Sequence, residues 1–290
     1  MKKFLLLILC FIGLISWGQQ KTTYQIGILT DVDQPSMAPL LEELKSEVIS
    51  VVGEDAIIQF SVEDILSSDL NIEKARTNYS QMLNSDVDII LAFGLVNNFV
   101  MIGQDSFPKP TILFGAVNND FLNIDKDSQT SGIENFTYLI TSRSYLNDLA
   151  TFHELTSFKK LAIVIQKPFM EVYPYKDLFD EEFEKYDAEY KLISFETYED
   201  IINNIQDVDA VYLAEGFYLT ESEIGILAET CIELEIPSFT GTRVQDVRMG
   251  LFATNQAEEN LSQFFRRIAL TVEAYIQGDA LSEQPVYISY

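Results

Sequence analysis

The sequence contains few of the residues on which most catalytic and metal sites depend. Its 290 residues include one histidine, His153, and two cysteines, Cys10 and Cys231. A catalytic cysteine needs a basic partner, and a zinc site needs three or four ligands that are mostly nitrogen or sulfur. His153 falls in a predicted helix, where an exposed or capping histidine is the simpler interpretation. We therefore expect no thiol catalyst, no metal and no disulfide.

Basic residues are scarce as well. The 19 Lys and Arg residues are opposed by 45 Asp and Glu residues, which gives a formal net charge of −26. Nucleic acid and anionic membrane surfaces are bound by concentrated Lys and Arg, so both are poor partners for this chain. The glycine-rich phosphate motifs G-x-G-x-x-G and G-x-x-x-x-G-K are also missing. We therefore expect no nucleotide cofactor, and we interpret the chain as a protein other than an enzyme.

The first 18 residues have the composition of a signal peptide. Lys2 and Lys3 precede an apolar run over residues 4–17, and the small residues Ser16 and Gly18 occupy the −3 and −1 positions of a cleavage site. The run is short for a membrane span, and its cysteine does not follow a small residue as in a lipoprotein. We expect cleavage after Gly18 and export of a soluble protein to the periplasm. Loss of two lysines changes the formal charge from −26 to −28.

The rest of the chain alternates between strand-like and helix-like segments. Residues 88–93 form a short apolar run that ends at Gly94, and a helix is predicted over 95–103. A further strand over 111–114 ends at Gly115 and is followed by polar residues. Ligands of open parallel sheets bind where the carboxyl ends of strands meet such loops. The other predicted strands cover residues 24–29, 56–61, 132–136, 161–165, 190–195, 210–214, 238–239 and 251–254, and the other helices cover 37–52, 72–83, 145–155, 174–186, 198–205, 220–234 and 257–277.

This alternation predicts an α/β fold with two doubly wound parallel-sheet lobes. Several short apolar segments follow one another in a characteristic order, namely 26–29, 89–94, 110–117, 160–164, 209–212, 236–239 and 250–254. In this order the chain resembles the substrate-binding proteins of ABC transporters, which have the type 1 periplasmic-binding fold. Within that family it is similar to the group of tryptophan and tyrosine receptors, and the resemblance covers residues 24–285.

The resemblance implies two lobes that close around a ligand. The N-terminal lobe would comprise residues 23–132 and 256–281, and the C-terminal lobe residues 137–250 and 284–290. Hinge segments would lie near 131–137, 250–255 and 282–288. The implied function is capture of a small molecule for an ABC-type importer through a membrane permease. The alternative is a sensory or accessory module that signals to another membrane partner without transport.

Candidate ligand-binding residues lie at the predicted carboxyl ends of strands. Backbone N–H groups at the start of the helix after Gly94 suit a carboxylate or another acceptor. Acidic and amide side chains could bind an ammonium or hydroxyls, although such residues are also common helix caps. Arg243 could bind a ligand carboxylate, or it could be a solvated countercharge. The candidates are Thr30, Asp31, Gly94, Leu95, Val96, Asn118, Tyr173, Glu215, Phe217, Thr242 and Arg243.

Charge and aromatic content limit the ligand without naming it. The acidic chain disfavours a multiply anionic ligand. Aromatic residues near strand ends, among them Tyr173 and Phe217, favour a ligand with a flat, partly apolar face. We therefore expect a neutral, zwitterionic or cationic small molecule, possibly an aromatic one.

Overall fold

The structure is a computed structural model. It describes residues 21–34, 37–117, 120–121, 129–141, 143–257 and 261–287. The predicted signal peptide and the candidate ligand-binding residue Asn118 lie outside the described residues.

The first half of the chain builds a parallel sheet of six strands in the order β2-β1-β4-β5-β6, with β3 also paired to β1. Apolar residues on both faces of its central strands explain why helices cover both sides. The strands are β1 (Thr23–Thr30), β2 (Ile57–Gln59), β3 (Ile65–Ser67), β4 (Ile89–Phe93), β5 (Thr111–Val117) and β6 (Phe136–Ile140). The helices between them are α1 (Met37–Val52), α2 (Ile72–Leu83) and α3 (Leu95–Ile102).

The second half builds a parallel sheet of five strands in the order β11-β10-β9-β7-β8. Its strands are β7 (Lys160–Gln166), β8 (Glu189–Phe195), β9 (Ala210–Glu215), β10 (Ser238–Thr240) and β11 (Ala253–Thr254). The helices are α4 (Tyr145–Thr156), α5 (Lys167–Met170), α6 (Tyr175–Phe183), α7 (Tyr198–Ile202), α8 (Glu221–Glu233), α9 (Val244–Arg248) and α10 (Leu261–Ile276). Two parallel sheets flanked by helices confirm the predicted α/β class.

Helix α10 returns to the first sheet and packs along α1. Its apolar stripe contributes Phe265, Ile268 and Val272, which are at most 5% exposed, to a core shared with Leu44 and Val48 of α1. Full burial of side chains of this size stabilises a fold by about 1.5–3 kcal/mol each. The 16 residues of α10 therefore stabilise the first lobe although they follow the second lobe in sequence.

The structure differs from the sequence-based expectations at the chain crossings. The strand predicted over residues 132–136 lies at Phe136–Ile140, because this apolar run pairs with β5 at the edge of the first sheet. Near the end of the described chain, Pro285 and Tyr287 form bridges to Thr130 and Ile140. Residues 137–140 and 285–287, expected in the C-terminal lobe, are thus hydrogen-bonded to the first sheet or to its flank.

Buried residues of the two sheets meet in one apolar cluster. It includes Leu95 and Val96 of α3 together with Tyr145, Tyr173 and Tyr212 from the second half of the chain. The two lobes are therefore in contact along the carboxyl ends of their strands. No helix within the described residues combines the length and apolar character needed to cross a membrane.

Candidate ligand-binding site

A small pocket lies where the two sheets face each other. The first half of the chain contributes Leu95, at the start of α3. The second half contributes groups that follow β6 and β10, and the last residue of β9. The lining residues are Leu95, Arg143, Ser144, Tyr145, Asp148, Glu215 and Gly241. This is the position at which open parallel sheets bind their ligands.

Asp31, just after β1, occupies the N-terminus of α3. The N–H of Val96 donates to Asp31 Oδ2 at 2.9 Å, and the backbone and side-chain N–H groups of Asn97 donate to Oδ1 at 3.1 and 2.9 Å. Gly94 permits this approach, because its φ is +104° and a Cβ there would lie 2.4 Å from the Asp31 carboxyl carbon. The Val96 N–H, predicted from sequence as a donor to a ligand, is therefore bonded to Asp31, which acts as an N-terminal cap, and the Gly94 N–H donates to the Phe114 carbonyl.

The charge of Asp31 depends on two opposing effects. Burial raises the pKa of this carboxyl to about 7, while the N–H groups of Val96, Asn97 and Leu95 act to lower the pKa. Burial prevails because the carboxyl is removed from water. Thr30, the neighbouring candidate, is buried and its hydroxyl donates to the carbonyl of Val32 at 3.2 Å.

Glu215, the last residue of β9, is the buried acid of the second half of the site. It is 4% exposed, and its Oε1 accepts a hydrogen bond from the Tyr145 hydroxyl. Oε2 has no hydrogen-bond partner among the described residues. Burial raises the pKa of Glu215 to about 7, against the lowering effects of Tyr145 and Arg143. A buried acceptor without a partner costs about 1–3 kcal/mol, so this oxygen favours the arrival of a donor.

Aromatic rings surround the contact between the lobes. The Tyr173 hydroxyl donates to the Leu95 carbonyl at 2.7 Å, which links the second half of the chain to α3. Phe121 stacks on Tyr173 with ring centroids 4.7 Å apart and meets Tyr175 edge to face at 5.0 Å. Phe121, Tyr173 and Tyr175 thus form one packed aromatic cluster at the contact between the lobes.

A cation borders the same site. The Arg143 guanidinium lies 4.4 Å from the centroid of the Phe217 ring and donates to the Thr242 carbonyl at 2.9 Å. Its charge also acts to lower the pKa of Glu215 and of Asp148. Asp148 itself accepts hydrogen bonds from the Tyr212 hydroxyl, and burial raises its pKa to about 6.

Thr242 and Arg243 belong to a polar network beside the pocket. The Thr242 hydroxyl donates to Asp246 Oδ2 at 2.8 Å, and the Arg243 Nε donates to Asp246 Oδ1 at 3.1 Å. Thr240 shares the same carboxylate at 2.8 Å. Arg243 therefore pairs with a buried acid in the first turn of α9, and it is not among the residues that line the pocket.

The structure brings most of the candidate residues to one place and adds others. The first-lobe side of the cleft contains Asp31, Gly94, Leu95 and Val96. The second-lobe side contains Tyr173, Glu215 and Phe217. Four groups that sequence reasoning missed also lie there, namely Phe121, Arg143, Tyr145 and Tyr175. Tyr145 and Tyr175 are the first residues of α4 and α6, directly after Ser144 and Pro174, and Arg143 lies two residues before α4. Attention to helix starts as well as to strand ends would have found these three.

Neither a family model nor a curated protein sequence matches this chain. Solved structures do resemble it. The ABC domain of Streptococcus pneumoniae in complex with L-Trp is 15% identical, with a TM-score of 0.64 over 92% of this chain and 90% of that one. The leucine-binding protein LivK of Thermotoga maritima is 10% identical, with a TM-score of 0.60 over 88% and 83% of the two chains.

The fold is that of the type 1 periplasmic-binding proteins. Its occurrence is not limited to transport, because the transcription regulator CcpA of Lactococcus lactis also matches, at 11% identity and a TM-score of 0.55 over 92% of this chain and 96% of that one. These neighbours are binding or regulatory proteins, and at such low identity they establish the fold alone. The function must be argued from the site.

Proposed function

We propose that this chain is an exported solute-binding protein that captures a small molecule between its lobes for an ABC-type importer. The observation that carries the proposal is the pocket itself. It lies at the carboxyl ends of two facing sheets and contains a buried acceptor, Glu215 Oε2, without a partner. The resemblance to ABC substrate-binding structures supports this role.

The finer parts of the proposal rest on sequence. Cleavage after Gly18 would release the protein into the periplasm, and N-terminal sequencing of exported material tests this. A relationship to the tryptophan and tyrosine receptors is supported by the aromatic surround of the cleft. Hinge bending near residues 131–137, 250–255 and 282–288 would open the lobe contact, and ligand would favour the closed state.

The regulator among the structural neighbours favours one alternative. The same cleft could sense a ligand and signal to a membrane partner without transport. Both functions require ligand binding, but only the first requires uptake.

Comparison of the spent medium of wild-type and deletion strains separates the two functions. An importer component predicts that one small molecule is removed from the medium by the wild type and left by the deletion strain. The same molecule should co-purify with the protein. Equal uptake of a co-purifying molecule, together with an altered transcriptional response to it, would support the sensor instead. Conversion of that molecule by the purified protein would contradict both and indicate an enzyme.

A further inference from the structure

We propose that the ligand of this cleft is an organic cation without a carboxylate, and that its charged nitrogen binds Glu215. This inference rests on the proposed binding function and specifies its ligand class. Amino acids and amines differ by one carboxylate, so the question is which charged groups the cleft can accept.

The first-lobe side of the cleft has no place for a ligand carboxylate. The natural donors there are the N–H groups at the start of α3, and those of Val96 and Asn97 already bind Asp31. A second carboxylate at this point would find these donors already used and would meet the oxygen atoms of Asp31. The helix terminus therefore selects against an amino acid.

The opposite side of the cleft offers an acceptor that only a donor can satisfy. Glu215 lines the pocket, is 4% exposed, and leaves Oε2 without a partner among the described residues. Its other oxygen is held by Tyr145, which fixes the carboxyl group in place. An ammonium group supplies both the missing donor and the opposite charge.

The remaining charges around the pocket leave an excess of acid. The lining holds the carboxyl groups of Asp148 and Glu215 and one guanidinium, that of Arg143. Asp148 accepts from the Tyr212 hydroxyl at 2.8 Å and from Asn255 Nδ2 at 3.0 Å, so its two oxygens are engaged. With Asp31 next to Leu95, three acids and one base surround the cleft, so a bound cation favours the ionised form of these acids and is attracted by it.

Tyrosine rings complete the surroundings of a cationic group. Tyr145 lines the pocket, and Tyr175 lies against it with ring centroids 5.6 Å apart. Tyr173 contacts both Tyr175 and the backbone of Leu95. Aromatic faces attract ammonium and methylated ammonium groups, whereas they give no such support to an anion.

Matched pairs of probes test the inference on the full-length mature chain after removal of bound ligand. Tyramine and tyrosine, agmatine and arginine, and choline and betaine differ within each pair in that the second compound carries a carboxylate. Calorimetric titration should show that at least one amine binds and that its carboxylated partner binds at least 10-fold more weakly. Tighter or equal binding of an amino acid would overturn the inference and leave the proposed function intact.

Absence of binding by every amine would also overturn the inference. The proposed function would then be judged separately, by whether any small molecule co-purifies with the chain. The two failures are therefore distinguishable.

Two substitutions assign the selectivity to residues. Glu215→Gln keeps the shape of the side chain and should weaken amine binding at least 10-fold. The control is Glu182→Gln, because Glu182 is also buried and accepts a tyrosine hydroxyl, from Tyr186 at 3.0 Å; it pairs with Lys185 and does not line the pocket. Unchanged amine affinity in Glu215→Gln would refute the assignment.

Asp31→Ser shortens the cap and releases N–H donors at the start of α3. The affinity ratio of amine to amino acid should fall several-fold in this variant. A merely structural role of Asp31 would reduce binding of both probes alike, so an unchanged ratio would contradict its part in selectivity.

Discussion

Glu215 should make the stability of the ligand-free protein depend on pH. Its carboxyl has an ordinary pKa of 4.5 and a pKa of about 7 when buried in the folded protein. Well below pH 4.5 the group is protonated in both the folded and the unfolded state, so it adds no pH dependence to the free energy of unfolding. Between pH 4.5 and 7 the unfolded chain loses this proton and the folded chain keeps it, so the free energy of unfolding falls as pH rises.

The size of the effect follows from the shift. One pKa unit corresponds to about 1.4 kcal/mol, so linkage through this single group lowers the free energy of unfolding by about 2.5 kcal/mol between pH 5 and pH 8. Glu215→Gln removes the titration and should lose that much less stability over the same range. The groups that act on Glu215 are Tyr145, Arg143 and Asp148, and all three remain in the variant.

Urea unfolding at pH 5, 6, 7 and 8 measures this difference directly. Wild type, Glu215→Gln and the control Glu182→Gln should share one slope in urea, with only the midpoints changing. The control removes a buried carboxyl that does not line the pocket and that pairs with Lys185. Parallel pH profiles of wild type and Glu215→Gln would refute the assignment of a buried, proton-binding Glu215.

Substitutions at the lobe contact test the packing around the pocket. Gly94→Ala should lower the free energy of unfolding by about 3 kcal/mol, because φ is +104° and the new Cβ would meet the carboxyl group of Asp31. Gly225→Ala, in the open space along α8, is the control and should be neutral or stabilising by up to about 1 kcal/mol. Tyr173→Phe deletes the hydroxyl that donates to Leu95 and should cost about 1 kcal/mol in urea unfolding. Tyr173→Ala should cost about 3–5 kcal/mol, because the ring is only 7% exposed, and a near-native midpoint would show that the ring does not belong to the core.

Sequence patterns predicted the architecture well because its determinants are local. Residue spacing is enough to predict the buried run of β4, the glycine that ends this run and the apolar stripe of α10. The strand predicted over residues 132–136 begins too early, because the sequence from Gly132 onward is compatible with a strand that starts at any of several positions. Only pairing with β5 fixes the strand at Phe136–Ile140.

The positions of the site residues along the sheet edges could be predicted from sequence, but their hydrogen-bond partners could not. Sequence could place Asp31 and the start of α3 at the same sheet edge, yet it could not show that one caps the other. That outcome depends on a contact across 65 residues of chain and on the conformation of Gly94. Arg243 differs, because its partner Asp246 is only three residues away and the pairing depends on where α9 begins.

Native mass spectrometry is the most direct test of the claim that the cleft binds a small molecule. The mature chain, stripped of ligand and incubated with the small-molecule extract of its own host, should gain one adduct per chain. Glu182→Gln should gain the same adduct, and Glu215→Gln should gain much less of it. A spectrum that shows only the mass of the free wild-type chain after this incubation would contradict a ligand-binding function.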